Sequence, residues 1–232
     1  MRFEDNLLKG KFLSRVTRFS AKVLYDGKEV LAYIPNSGRL KELLKKDNAV
    51  LLQKVDSSNR KTGFDFIGVK YNNIWVSIDA RLPNLLFREA IENGILHEFS
   101  GYSIDTIEAK LGQSRIDFIL KNKNGDKFWV EVKSCTLVEN GIAKFPDAPT
   151  LRGIRHIEEL MKVKTKGIRS AVVFIVQRED AEVFSPNYEA DKKFGEVLNY
   201  AYKNGVEVYA YLCKFDGKEI KIIRNISIKF KY

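Results

Sequence analysis

Cysteine and histidine are nearly absent from this chain, with two of each in 232 residues. Cys135 and Cys213 stand alone without metal-finger spacing, and His97 and His156 are too few for a zinc cluster. Unpaired, scattered thiols fit a reducing, cytoplasmic setting. No run of about 18 apolar residues occurs, so no membrane span is expected. Glu4 and Asp5 precede any apolar stretch, unlike a secretory signal. A glycine-rich phosphate loop and a nucleophile motif are missing as well, which argues against an enzyme acting on a sugar or nucleotide. Glutamine occurs only three times among 30% charged residues, a composition that leans thermophilic.

Basic residues are abundant. Forty Lys and Arg against thirty Asp and Glu leave a net charge of +10 and a pI near 9.4. Residues 1–81 hold 16 basic and 9 acidic side chains, net +7, and the remaining residues 24 and 21, net +3. Such asymmetry points to a polyanion, most often nucleic acid, with a generally soluble basic surface as the plainer alternative. The expected partner is nucleic acid; no membrane partner is expected, and a homodimer is left open.

The charged first third reads as short strands separated by turns. Alternating segments run Phe12–Phe19, Ala21–Tyr25, Glu29–Ile34, Ala49–Val55, Phe64–Tyr71 and Ile74–Ile78, with one small helix expected over Gly38–Lys45. Five or six short strands with one helix suggest a little barrel of the oligonucleotide-binding (OB) kind over residues 1–81. Its basic loops supply the candidates for nucleic-acid phosphate contact Arg15, Arg18, Asn36, Arg39, Arg60 and Lys61, residue types that hold phosphate without reading sequence. Phe19, Tyr25, Tyr33 and Phe64 lie among them, as stacking surfaces or, more ordinarily, as core.

Residues 82–232 alternate helix and strand, as in a mixed α/β sheet. A helix opens at Pro83 and stops before Gly94. Ser103–Lys110 reads as a strand. After the hairpin described below, Ser134–Pro149 reads as a long loop, and Thr150 caps a helix to about Lys164. On that helix Arg152, Arg155, His156 and Glu159 form a polar stripe, either solvated or phosphate-facing. Ser170–Gln177 is apolar throughout, like a buried central strand. A helix over Lys192–Lys203, a strand over Val206–Cys213 and a terminal strand pair around Lys218–Phe230 follow.

The hairpin lies at residues 115–133. Arg115–Leu120 and Phe128–Lys133 alternate around a turn containing Asn124-Gly125. A two-residue loop mixes polar with apolar on each face; a three-residue loop, Lys123-Asn124-Gly125 with a left-handed glycine, aligns Ile116 with Val132, Phe118 with Val130 and Leu120 with Phe128 and keeps one face apolar. The same register sets Asp117 opposite Glu131, with Lys133 two residues along. Facing carboxylates repel in a strand pair. A divalent cation with oxygen ligands reverses that sign, so Asp117 and Glu131 are the candidate ligands for Mg2+ or Mn2+. Plain solvent-facing alternation is the duller alternative.

The order helix–strand–strand–strand–helix–strand, with Asp117 and Glu131-Val-Lys133 on adjacent strands, resembles the PD-(D/E)XK restriction-endonuclease-like core, although Ile116 stands where a proline usually precedes the Asp. Over nearly its whole length the chain resembles the sugar fermentation stimulation protein A (SfsA) family. The residues that carry this are Arg15–Phe19, Pro35–Arg39, Arg60–Thr62, Gly112–Asp117, Trp129–Ser134, Phe145–Ala148, Thr150–Gly153 and Gln177-Arg178. The resemblance implies an OB-like barrel followed by a nuclease-like mixed-sheet domain (α+β overall) and DNA binding without strong sequence preference. It implies Asp117 and Glu131 as metal ligands, Lys133 as the catalytic lysine and Glu89 as the helix glutamate of the site. Arg115, Arg152 and His156 complete the expected DNA-contacting set. Cleavage of DNA and binding without cleavage both remain open at this level.

Overall fold

The computed structural model describes residues 1–3, 7–55, 60 and 62–231. Its first strands are β1 (Leu8–Thr17), β2 (Ser20–Tyr25), β3 (Lys28–Tyr33), β4 (Ala49–Lys54), β5 (Phe64–Tyr71) and β6 (Ile74–Ser77). β1 pairs with both β2 and β4, β2 with β3, β3 with β5, and β5 with β4, which closes a five-stranded OB barrel. Closure removes exposed strand edges. Phe12, Val23, Ile34, Val50, Phe66 and Val76 fill the barrel. The helix expected over Gly38–Lys45 is a single turn, in which Leu43 and Leu44 N–H groups both donate to the Leu40 carbonyl. Leu40 itself has φ of 50°, so the chain leaves the helical region where a helix has to start.

The second region contains α1 (Leu82–Glu92), β7 (Tyr102–Leu111), β8 (Ser114–Asn122), β9 (Lys127–Cys135), β10 (Leu137–Glu139), β11 (Ile142–Phe145), α2 (Leu151–Lys164), β12 (Arg169–Val176), β13 (Val183–Pro186), α3 (Lys192–Lys203), β14 (Glu207–Phe215) and β15 (Ile220–Ile228). The main sheet runs β7-β8-β9-β12-β14-β15, with β12 parallel to both neighbours. β12 is buried along nearly its whole length, so its continuous apolar run packs on both faces: Ala171, Val173 and Ile175 under α1, Val172, Phe174 and Val176 under α2 and α3. Three expectations are corrected. The long loop after Lys133 holds β10 and β11, too short to show a period. β13 has no counterpart in the sequence reading. The terminal segment is one strand, β15, antiparallel to β14.

The barrel and the main sheet are continuous. β6 pairs with β5 on one side and with β14 through Trp75 and Phe215 on the other. Phe215 occupies the space a Cβ on Gly68 would need, at 2.6 Å, so only glycine lets the two regions close this tightly. Gln177 spans the seam, accepting from Ser77 Oγ at 3.2 Å and donating to Ser134 Oγ at 3.0 Å. Beside it Arg178 is fully buried, paired with Asp180 through two bonds of 2.6 Å, donating to the Thr136 carbonyl and lying over the Tyr71 ring. Among the described residues, no helix is long and apolar enough to cross a membrane.

Candidate metal and nucleic-acid site

The hairpin takes the expected three-residue loop. Phe118 faces Val130 and Leu120 faces Phe128, Asn122 N–H donates to the Asp126 carbonyl, and Gly125 has φ of 89°. Asn122 Oδ1 accepts from the Asn124 and Asp126 amides and stabilises the turn from inside. The ladder, however, ends at Phe118 and Val130. Beyond that pair the two strands part, and the Asp117 carboxylate fills the opening: Oδ2 accepts from the Val132 amide at 2.8 Å, and Oδ1 accepts from Asn84 Nδ2 on α1 at 2.9 Å.

Glu131 is 2% exposed. Its Oε1 accepts from both Lys133 Nζ and His156 Nδ1, whereas Oε2 is buried with no hydrogen-bond partner. Burial pushes the Asp117 carboxyl up to about 6, the nearby Glu131 charge adds to the shift, and the Val132 amide and Lys133 partly offset it. Burial pushes Glu131 the same way, but the Lys133 charge and the His156 hydrogen bond outweigh it and hold this carboxylate below its ordinary value. The two acids therefore differ: one is an anchored anion with a bare oxygen, the other a strained neighbour that ionises reluctantly.

These residues suit a hard divalent cation. An unpartnered buried carboxylate oxygen is costly, and a second carboxylate disfavoured by its charge loses that penalty beside a cation. Among the described residues no group of three His, Cys, Asp or Glu side chains forms a ligand cluster. Two carboxylates completed by water and phosphate oxygens is the coordination that Mg2+ favours.

Glu89 does not join this group. It lies on α1, half exposed, with Oε2 2.7 Å from the Met1 amino group; five residues along a helix from Asn84, it points elsewhere. Asn84, which sequence reasoning missed, occupies the helix position that touches Asp117; only its place one residue past Pro83 in the helix's first turn hinted at it. His156, expected on a phosphate-facing stripe, is 3% exposed and turned inward to Glu131. Arg152 is exposed, and its Nε donates to His156 Nε2 at 3.3 Å. Arg115 is exposed and only loosely paired with Glu108, at 3.6 Å.

The barrel candidates divide in the same way. Arg15 donates to the carbonyls of Thr17, Arg18, Asn36, Gly38 and Arg39, tying the two basic loops together; its guanidinium serves the protein's own backbone. Asn36 is likewise consumed, between the Ile78 carbonyl at 2.8 Å and the Gly38 amide at 2.7 Å. Arg60 pairs with Asp65 at 2.7 Å and lies over Tyr33. Arg18 donates from Nε to the Ser37 carbonyl at 3.1 Å, but it and Arg39 keep exposed side chains and line a cleft of about 580 Å³ with Val16, Thr17, Ser37 and Ala148. Phe19 stacks on Tyr33, with Arg18 over the Phe19 ring and Arg60 over the Tyr33 ring, yet Phe19 stays 43% exposed. Tyr25 and Phe64 pack against each other at the barrel core. Lys61 lies outside the described residues.

A closed OB barrel joined to a restriction-endonuclease-like sheet, with an Asp on one strand and Glu-Val-Lys on the next, defines the class of protein. Within that class the chain belongs to the sugar fermentation stimulation protein family, SfsA. Residues 81–219 match the model of the sugar fermentation stimulation protein RE domain, and residues 13–78 that of the SfsA N-terminal OB domain. The chain is 46% identical over 234 residues to a sugar fermentation stimulation protein homolog of Acetivibrio thermocellus, covering 100% of both. It is 42% identical over 229 residues to one of Caldanaerobacter subterraneus, covering 98% of this chain and 99% of that one. A solved structure of Pyrococcus furiosus SfsA in complex with Ca2+ superimposes with a TM-score of 0.91 at 31% identity, covering 99% of this chain and 98% of that chain.

Proposed function

We propose that this chain binds DNA largely without regard to sequence and hydrolyses its phosphodiester bonds with a divalent cation, Mg2+ or Mn2+, held by Asp117 and Glu131. The observation that carries this reading is the buried, partnerless Glu131 Oε2 beside an Asp117 carboxyl raised to about 6. The Ca2+ complex of the P. furiosus relative supports it, because the same oxygen-donor chemistry takes Ca2+ and Mg2+. A cation bound there supplies Lewis-acid polarisation of a phosphate oxygen and a more acidic water. Asn84 and the Val132 amide orient Asp117; Lys133, anchored on Glu131, places its positive charge where a phosphate gains charge. Arg18 and Arg39 in the barrel cleft, with Arg115 and Arg152 on the sheet region, are the exposed cations offered to the DNA backbone.

The competing reading is a DNA-binding protein without hydrolytic activity. It draws on the Lys133 ammonium, which already sits on Glu131 and neutralises it with no metal at all.

Cleavage assays on single-stranded, duplex and branched DNA with Mg2+ or Mn2+ separate the two. Nicking by the native protein that falls to background in Glu131→Gln and Lys133→Ala, with DNA affinity retained within about threefold, supports hydrolysis. Metal-dependent nicking of equal rate in both variants places the activity elsewhere, and no nicking on any substrate leaves the binding-only reading.

A further inference from the structure

Glu131 is held from behind by two residues of α2 whose part in the site goes beyond phosphate contact. An arginine guanidinium has only donors, so Arg152 Nε must donate to His156 Nε2, and that nitrogen is an acceptor. The His156 proton then lies on Nδ1 and is donated to Glu131 Oε1. Lys133 donates to the same oxygen. Both donors therefore gather on one oxygen of the carboxylate, and the other, Oε2, is left buried and bare. The spacing is built into the helix: Arg152 and His156 are one turn apart, with His156 buried against Glu131 of β9 and Arg152 at the exposed end of the pair.

We propose that His156 is a positioning residue that turns Glu131 Oε2 toward the cation site, with Arg152 selecting the Nδ1–H tautomer that makes this possible. The proposal rests on the reading of Asp117 and Glu131 as cation ligands. Metal-ligating side chains are commonly oriented by such outer hydrogen bonds, and removing one typically weakens metal binding about 10–100-fold. Without its histidine donor, Glu131 is free to rotate about its terminal bond and share both oxygens with Lys133. Arg152 keeps its other guanidinium N–H groups exposed, so one residue orients the carboxylate through Nε while facing solvent where a DNA phosphate arrives.

Two measurements test this. The first needs neither metal nor activity. The chain has only two histidines, and the exposed His97 serves as an internal reference, so long-range proton–nitrogen NMR resolves the His156 ring. The expected pattern is a protonated Nδ1 and an acceptor Nε2, lost in Arg152→Leu; an Nε2–H ring in the native protein overturns the proposal. The second is Ca2+ affinity by calorimetry. His156→Leu, which removes the donor, should bind about 10-fold or more weakly, whereas His156→Asn, whose amide reaches the Nδ1 position, should stay within about threefold of native. Equal affinity in all three proteins overturns the positioning role and leaves the metal-site reading standing. Absence of Ca2+, Mg2+ and Mn2+ binding in the native protein, with no response to Glu131→Gln, overturns both.

Discussion

The barrel and the sheet region use charge in opposite ways. The barrel carries most of the excess positive charge, yet Arg15 is bonded to backbone carbonyls, Arg60 to Asp65, and Arg81, at the start of α1, to Asp65 and Asp79. Of its candidates in the described residues, Arg18 and Arg39 remain exposed on the cleft. The sheet region is nearly neutral, but it concentrates two carboxylates, a lysine and a histidine at the point where β8 and β9 part, and leaves one oxygen bare. Net charge thus says little about which surface is open to a polyanion: what counts is which charged groups the fold leaves exposed.

The largest effect that can break this comparison is at the sheet. With Glu131→Gln, metal-dependent nicking should fall to background and Ca2+ binding should disappear in calorimetry, with little change in DNA affinity. A variant that keeps metal affinity removes the distinction between the two regions.

The next effect sets Arg15 against Arg18. Arg15→Ala strips donors from the carbonyls of two loops and should destabilise the fold by about 2–4 kcal/mol in urea unfolding. Arg18→Ala should change stability by no more than about 0.5 kcal/mol, but weaken DNA binding and reduce the salt slope by about one. The reverse pattern would show that the Arg15 guanidinium leaves its carbonyls to meet DNA.

A third expectation concerns pH. The folded-state value for Asp117, about 6, lies above its ordinary 3.8, so the folded protein holds this proton more tightly than the unfolded chain does. That contribution is complete below about pH 4 and is lost as pH rises through about 6. Above it a penalty of up to about 3 kcal/mol remains in the metal-free protein. Adding Mg2+ should therefore raise Tm clearly at pH 8 and little at pH 5, and Asp117→Asn should abolish the difference. A metal-induced rise as large at pH 5 as at pH 8 removes Asp117 from the site.

The smallest effect separates backbone strain from charge. Glu108 has φ of 53° within β7, away from that strand's register shift between Ile104 and Thr106, with its side chain largely in solvent. Glu108→Gly should relieve this and stabilise the protein by up to about 1 kcal/mol, leaving Ca2+ affinity unchanged. Any loss of affinity would bring Glu108 into the carboxylate group.

Much of the fold is legible in local pattern because local forces set it. The hairpin register follows from period-two alternation and the left-handed glycine. α2 begins where Thr150 Oγ1 accepts from the Gly153 amide, and α3 begins where Asp191 Oδ1 accepts from the Phe194 amide. β10, β11 and β13 are too short to display a period, and the turn at Leu40 gives up helical geometry while Leu40 and Leu43 are buried in the barrel core.

By itself the sequence determined the barrel's strands, the central apolar strand, the hairpin and the placing of Asp117, Glu131 and Lys133 on one stretch of adjoining backbone, since each depends on neighbours a few residues apart. Only the tertiary structure decided which polar groups stay free. Arg15 meets Gly38, His156 meets Glu131 and Asn84 meets Asp117 across 23, 25 and 33 residues of chain, and no local pattern encodes such meetings. A buried polar group takes whatever partner the packed fold brings within about 3 Å, so its availability to metal or DNA is settled by packing.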